Sequence, residues 1–487
     1  MTAAVAGIAG YFVLGILGFL VPWARALSAG ALLVGTVAYA LWFPGFPTGY
    51  LGLGDWAIPW RGDILAASFW GLSLFLHLIL LVHQEGGRPQ HYYALVTLLF
   101  GTVLSTVLSQ DIFNLYVSLE LTSLIAFLLV GIEGKPAQVW ASLKYLILTS
   151  CGMIFYLLGV GFVYAETETL SLVRLSSSAP AMAPGLRLGI ALLLTGAAAK
   201  GGVFFYALWL PVAHGYAPAP VSALLSSLVV KMGIVALARI SAAFGIGEVL
   251  VALGLVTGFL GILHMFWEKK LKVFLAYSTM SQLGYVLLGF GLGAWEGAVA
   301  YAVAHGLFKA LLFLAAGEAE REAKSHLIPR HVGRISGETR ALLGLGALAI
   351  MGVPPLAGYA AKGLITAVAP PWVKGVLIAL SLGTAASFAR LLVLPLGEGP
   401  KFEIRHPALW VLVAAVAGTG IWGLVSFPGI ALPRALLTAL LVSAAGITMG
   451  WPFSRLSARL PRWHLEEALL ALLFASLALL LFQFLSG

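Results

Sequence analysis

Six ionisable side chains, Glu120, Lys200, Lys231, His305, Lys309 and Lys362, each stand inside an otherwise apolar run. A charge held at the centre of a hydrocarbon layer costs about 2.5–3.5 kcal/mol on insertion scales, so it persists where it has a partner, a water-filled cavity or a task. A carboxylate and a lysine can share an ion pair there, with the proton affinity of each set by burial and by the partner. If an event on either side weakens such a pair, the lysine can release its proton and water can relay it. His305 and Lys309 lie one helical turn apart in EGAVAYAVAHGLFKALLFLAAG, so both face one side of a helix. Histidine titrates near neutrality and passes protons through either ring nitrogen. The chemistry these residue types suit is proton movement; the rival reading is a static buried ion pair and a hydrogen-bonded core histidine. Lys144, His214 and Lys272 are accessory candidates, each with a plainer alternative. Lys144 either faces the interior or snorkels to the interface, His214 either lines a cavity or caps a helix end, and Lys272 is also placed as an orientation anchor.

The elements that position these groups are transmembrane helices. Of the 487 residues, 61% are hydrophobic and 10% charged, and mean hydropathy is +1.00, far from the roughly one-quarter charged residues of a soluble domain. Apolar runs long enough to span recur along the chain, and sixteen spans are expected, the last two near 430–450 and 465–485. No basic n-region precedes the first run, so a cleaved signal peptide is not expected. The formal charge of +9 is read as cytoplasmic loop charge rather than as nucleic-acid affinity. One cysteine, Cys151, in an apolar segment rules out a disulfide framework. No CxxC, clustered histidine spacing or dinucleotide glycine fingerprint occurs, so neither a cofactor nor a metal is expected on this chain, and no catalytic constellation of its own is expected either.

Lys200 and Lys231 flank a segment broken by Pro211, Gly215, Pro218 and Pro220. Helix breaks free backbone groups that lipid cannot satisfy and a hydrated interior can. LTGAAAKG at 194–201 returns as LAGYAAKG at 356–363, six of eight residues identical, beside a second break at Pro354 and Pro355. Five spans separate the copies, which predicts opposite directions through the bilayer and two inverted five-helix repeats, each with a broken helix. The expected fold is therefore an all-α polytopic bundle of about 14–16 transmembrane helices. It divides into N-terminal helices with an outside loop (1–90), a first half-channel (91–241), a second half-channel (242–394) and C-terminal helices (395–487). Gly45 to Asp63 reads as a surface turn or short hairpin and Ser176 to Gly185 as a linker. Loops after odd-numbered spans carry most of the Lys and Arg, which predicts that they are cytoplasmic and that both termini face outward.

Four ordered motifs carry a resemblance: KxxxFxxxxWLPxAHxxAPxxxSALLSSLVVKMG, LKxFLAYSTMSQLGY, AHGLFKALLFLAAG and GVPPLAGYxxK. Together they resemble the antiporter-like membrane subunits shared by respiratory complex I, membrane-bound hydrogenases and Mrp-type Na+/H+ antiporters, over roughly residues 90 to 400. DIFNLYVSLE is most similar to the D subunit of the Mrp antiporters. The resemblance implies that Glu120, Lys200, Lys231 and Lys362 form a central hydrophilic axis, with His305 and Lys309 as its eleventh-span polar pair. One departure is Lys270, where an acidic residue often precedes the LKxxLAYS motif. The implied function is H+ translocation, with Na+ as the exchanged ion, in a hetero-oligomeric complex of the cell membrane whose partners are other membrane subunits. The alternatives are a proton-pumping subunit of an NADH:quinone oxidoreductase or hydrogenase complex, and a structural membrane subunit without transport.

Overall fold

Lipid offers no hydrogen bonds to a backbone, so an apolar chain of this kind satisfies its N–H and C=O groups within helices. The computed structural model describes residues 2–43, 45, 48–52, 57–83, 88–178, 182–328, 331, 333–392, 402–427, 429, 437 and 439–448. Within them the helices are α1 (Thr2–Leu20), α2 (Ala24–Trp42), α3 (Ile64–Val82), α4 (Gln90–Leu108), α5 (Ile112–Val130), α6 (Pro136–Thr167) and the short α7 (Leu172–Ser178). They continue as α8 (Pro184–Lys200), α9 (Trp209–Tyr216), α10 (Ala219–Leu224), a π-helical turn (Leu225–Val229), α11 (Val230–Phe244), α12 (Gly247–Trp267) and α13 (Leu271–Gly291). The rest are α14 (Trp295–Ala323), α15 (Gly337–Met351), α16 (Ala357–Val368), α17 (Pro371–Leu392), α18 (Pro407–Ser426) and α19 (Ala439–Thr448).

Twelve of these are long and apolar enough to cross a membrane, α10, the π turn and α11 counting as one. The seventh and twelfth expected spans are each interrupted, as α8–α9 and α15–α16. The fifteenth corresponds to α19, and the sixteenth lies outside the described residues. The 45–63 segment contains a two-stranded hairpin, β1 (Gly49–Leu51) against β2 (Ile58–Trp60), laid across the α4–α5 junction through Gln110 N–Pro59 O (2.9 Å) and Arg61 N–Leu108 O (3.0 Å). The first residues of the expected 176–185 linker close α7, and Pro184 already begins α8, where its missing N–H is tolerated.

Both breaks leave carbonyls at a helix C-terminus, and both are met by protein. After α8, Gly202 (φ +63°) and Phe205 (φ +75°) turn the chain. The freed Ala199 carbonyl accepts from Trp209 Nε1 (2.9 Å), and Phe204 N donates to Thr257 Oγ1 (3.2 Å). After α15, Gly352 (φ +87°) turns the chain and the Ile350 carbonyl accepts from Lys362 Nζ (3.0 Å). A cation at a helix C-terminus is favoured by the aligned backbone dipoles.

The helix containing the π turn is buried on all sides, and α13 and α14 nearly so, whereas α1, α2, α6, α12 and α18 show one face outward. α14 is tied at its basic end. Glu318, buried, lies 3.3 Å from His406 Nε2 at the start of α18 and 3.7 Å from His83 Nε2 at the end of α3, and also pairs with Arg321.

The crossing of α8 and α11 brings two backbones together at Gly201 and Gly233. A Cβ on Gly233 would lie 2.2 Å from Gly201 N and 2.6 Å from Gly201 Cα, and backbone cannot move aside cheaply. Overpacking of this kind typically costs about 1–3 kcal/mol, enough to change abundance several-fold. Gly233→Val is therefore expected to lower the folded protein in membranes several-fold. Gly375→Ala, which meets no neighbour, is expected to leave it unchanged; quantitative immunoblotting of membranes with detergent melting curves checks both.

Candidate functional site

Asp111 starts α5 by accepting a hydrogen bond from Asn114 N (2.7 Å), the N-cap arrangement that satisfies a free amide of the first turn. Glu120 and Ser123, one turn apart further along α5, converge on Lys200. The Lys200 ammonium lies 3.4 Å from Glu120 Oε1 and donates to Ser123 Oγ (2.6 Å). Lys200 is not mid-helix: it is the last residue of α8, at the edge of the break. The lysine is buried and the carboxylate side chain 20% exposed, so the pair sits at the boundary of the solvent-free interior.

Lys231 follows the π turn. Its Nζ reaches back to the Ser226 carbonyl inside that turn (2.6 Å); such widened turns recur at functional sites because they loosen the regular carbonyl ladder. The side chain of the same Ser226 bonds Thr279 Oγ1 on α13 (2.8 Å), and Thr279 donates to the Leu275 carbonyl (3.0 Å). With Thr279's one proton used there, the Ser226 hydroxyl must be the donor between the two. The Leu275 carbonyl also accepts from Lys309 Nζ (2.6 Å), which in turn donates to Ser278 Oγ (2.5 Å). Lys231 and Lys309, on different helices, thus each end on a backbone carbonyl, of Ser226 and of Leu275, and the Ser226–Thr279 hydroxyl pair lies between those two carbonyls.

On α14, Tyr301, His305, Lys309 and Phe313 recur every four residues and form one stripe. All four are fully buried. The Lys309 ammonium lies 5.3 Å from the Phe313 ring centre, and His214 of α9 stacks on the same ring (4.6 Å, 12° between planes). Neither nitrogen of His305 or of His214 meets a protein partner. At the far end of the stripe, Lys362 lies 4.6 Å from the Tyr285 ring centre and 5.8 Å from that of Tyr301. Tyr301 donates to Gln282 Oε1, whose amide donates to Thr384 Oγ1 (3.1 Å); Tyr285 OH bonds Ser381 Oγ (2.8 Å) and the Leu377 carbonyl (3.1 Å). Among the described residues, no carboxylate pairs with Lys231, Lys309 or Lys362. Carbonyls, hydroxyls and aromatic faces surround them instead, the last contributing cation–π attraction.

Lys272, at the start of α13, bonds the Ala217 carbonyl just past α9 (2.9 Å) and lies 3.3 Å from Glu320, which is 3.0 Å from His326. These three residues border a cavity of about 670 Å³ at the basic end, also lined by Arg88, Lys135 and Lys270. Lys144 is half-buried on α6 beside the exposed Leu143 and Ile147. His77 serves α1, α2 and α4, bonding Ser28 Oγ (2.8 Å) and stacking on Phe100 (4.5 Å). His264 bonds the Leu260 carbonyl one turn back (2.7 Å). Among the described residues, no cluster of His, Cys, Asp and Glu has metal-binding geometry.

Sequence reasoning on charged residues misses Ser123, Ser226, Ser278, Thr279, Tyr285 and Tyr301. The available signal is the density of hydroxyls in LLSSLVVK, which ends on Lys231, and in AYSTMSQLGY. It misses Glu318 as well, whose partners His83 and His406 are distant in sequence.

Known proteins share this architecture. At the sequence level, the N subunit of the NADH-quinone oxidoreductase of Desulforudis audaxviator is 32% identical over 453 residues, covering 82% of this chain and 90% of that protein. The D subunit of the Na(+)/H(+) antiporter of Bacillus subtilis is 28% identical over 364 residues, covering 69% and 72%. A chain of an archaeal membrane-bound sulfane sulfur reductase superposes with a TM-score of 0.77 over 93% of this chain and 98% of its own, at 22% identity. A chain of the Mrp complex from a Dietzia species does so at 0.69 over 94% and 96%, again at 22% identity. At that identity the structural likeness establishes the shared fold. The model of the family described as "NADH:quinone oxidoreductase/Mrp antiporter, TM" matches residues 109–387, the stretch that contains Glu120, Lys200, Lys231, Lys309, Lys362 and both helix breaks, and the chain belongs to that family.

Proposed function

We propose that this chain translocates protons across the cell membrane as the antiporter-like subunit of a hetero-oligomeric complex. The observation that carries the reading is the placement of two buried amines, Lys231 and Lys309, about one hydroxyl pair, Ser226 and Thr279, each amine held by a backbone carbonyl rather than by a carboxylate. Carbonyls only accept, so the hydroxyl pair and the two carbonyls hold the amines in place, and the proton itself crosses between them on water, from an ammonium to a neutral lysine. Glu120 and Lys200 form the gate of the first half-channel: weakening their pair frees Lys200 to give up its proton. Lys231, Lys309 and His305 move the proton laterally, and Lys362 leads it out. Lys272, His214 and Lys144 are accessory positions at the basic end. The unpartnered nitrogens of His214 and His305 suit water as the intervening carrier, since buried polar groups without protein partners are ordinarily hydrated. Residues 91–241 and 242–394 act as two inverted half-channels, each with one broken helix. The basic loops face the cytoplasm and both termini face outward.

An axis with four ammonium-bearing side chains and one carboxylate suits H+ and repels Na+, whose sites use carboxylate and carbonyl oxygens. In the Mrp-type reading, Na+ therefore moves elsewhere in the complex in exchange for the protons carried here. The relatives named as D subunits of Na(+)/H(+) antiporters support that coupling. A redox-driven coupling is the second reading, favoured by the 90% coverage of the N subunit of an NADH-quinone oxidoreductase. Vesicles of the intact complex separate the two. A Na+ pulse that moves the internal pH without a reductant supports exchange; pH change that requires a reductant supports redox drive.

Two substitutions test the axis in that assay. Lys200→Ala in the whole complex is expected to abolish ion- or redox-driven pH change while the complex still assembles; normal transport with normal assembly would refute the role of Lys200. Thr279→Val removes the hydroxyl between Ser226 and Leu275 at nearly constant volume. It is expected to slow proton movement by about tenfold, a barrier increase of about 1.4 kcal/mol, in a complex that still assembles but melts lower, since the buried Ser226 hydroxyl loses its acceptor.

A further inference from the structure

A cavity of about 370 Å³ opens beside Lys362, and its walls come from five helices. α16 supplies Lys362 and Thr366, α17 supplies Lys374 and Ser381, and α13 supplies Tyr285. The end of α15 adds Met351, and the remaining wall is α19, which contributes Ala439, Val442 and Ser443. Lys374 stands in the first turn of α17, half-buried, so the cavity leads from Lys362 along α16 toward the α16–α17 turn.

α19 is patterned for this position. Ser443 and Gly446 are buried and Ala439, Val442 and Ile447 half-buried, whereas Leu440, Leu441, Ala444, Ala445 and Thr448 are exposed. That is a single face at i, i+3, i+4, i+7 and i+8, turned inward. Gly446 lets the helix approach α17 closely: a Cβ there would lie 2.4 Å from Ala385 Cβ and 2.8 Å from the Leu382 carbonyl. The inward face places its one hydroxyl, Ser443, on the cavity, while its outward face is Leu- and Ala-rich as lipid requires.

We infer that α19 is the wall that separates the Lys362 cavity from lipid, and that Ser443 is a positioning residue for water in the proton path between Lys362 and Lys374. The inference rests on the proton-translocation reading above and assigns a task to a helix that lies beyond the family match at 109–387. Without this wall the polar groups of Thr366, Ser381, Tyr285 and Lys362 would face hydrocarbon on one side, where no partner exists for them. Ser443 keeps the lining polar on the α19 side, so that water bridging Lys362 to the rim meets a hydroxyl there as it does on α13, α16 and α17.

The test uses thiol accessibility in the whole complex. Cys151 is the sole cysteine, so Cys151→Ala gives a thiol-free chain into which Ser443→Cys, Val442→Cys or, as the outward-facing control, Leu441→Cys is placed. The probe is a membrane-impermeant cationic methanethiosulfonate applied to sealed vesicles of both orientations. Ser443→Cys is expected to react at least about tenfold faster than Leu441→Cys, because only a hydrated thiol ionises and meets the reagent, and its modification is expected to stop proton translocation. If Ser443→Cys does not assemble, Val442→Cys, on the same wall, takes its place with the same expectation. Equal rates at the inward and outward positions, or full modification without effect on transport, would overturn the inference. Repeating the labelling with Lys362→Ala separates the two levels. Rapid labelling in a Lys362→Ala complex that still pumps normally would leave the wall in place and refute the proton reading.

Discussion

Everything in this fold turns on holding four amines inside an apolar bundle. An unpaired ammonium in hydrocarbon is expensive enough to expel its helix, and even a buried ion pair recovers its desolvation cost only with good geometry and further hydrogen bonds. The chain meets that constraint in two ways. Lys200 has a carboxylate, Glu120, together with a hydroxyl. Lys231, Lys309 and Lys362 have carbonyls and aromatic faces instead, at Ser226, Leu275 and Ile350 and at Phe313, Tyr285 and Tyr301. Carbonyls become available where helices are irregular, and two of the three come from such places: a π turn and a helix end at a break. The irregularities and the lysines therefore explain each other.

The bundle is built so that these groups see protein rather than lipid. The central helices α11 and α14, which bear Lys231 and Lys309, and α13, which supplies the carbonyl and hydroxyl that Lys309 bonds, are the ones buried on nearly all sides. α14 spans from Tyr301 beside Lys362 to Glu318 at the basic end, where His83 and His406 tie it to α3 and α18. A helix fixed at one end and carrying polar groups every fourth residue holds its stripe in register with α13. That register is what brings Lys309 within reach of the Leu275 carbonyl, which Thr279 of the same helix already bonds.

Much of this was legible in the sequence because its violations are loud. A lysine in an apolar run, a Pro-Pro pair in a span and a Gly/Pro-interrupted segment are rare in lipid, and they mark Lys200, Lys231, Lys309, Lys362 and both breaks directly. The position of Lys200 within its helix was less legible: an apolar stretch follows it, yet the chain turns at Gly202, and the α8–α11 contact at Gly201 and Gly233 leaves no room for a straight continuation. The hydroxyl links were illegible as links. Serines and threonines in helices commonly bond their own backbone, as Thr279 and Ser278 both do to Leu275, so only the three-dimensional register shows that they also meet Ser226 and Lys309. The Glu318 cluster was hidden for another reason, since its histidines lie in separate loops and have no shared periodicity.

The central claim is that the two amines Lys231 and Lys309, held at the junction of α11, α13 and α14, pass protons rather than merely hold helices together. Lys309→Met keeps the volume and apolar contacts of the side chain while removing its titratable amine. The most direct measurement is proton flux across sealed vesicles of the intact complex bearing that substitution, with assembly and melting temperature followed in the same preparation. The account predicts flux reduced by about tenfold or more in a complex that still assembles and melts as the parent does. Undiminished flux in such a complex would contradict it.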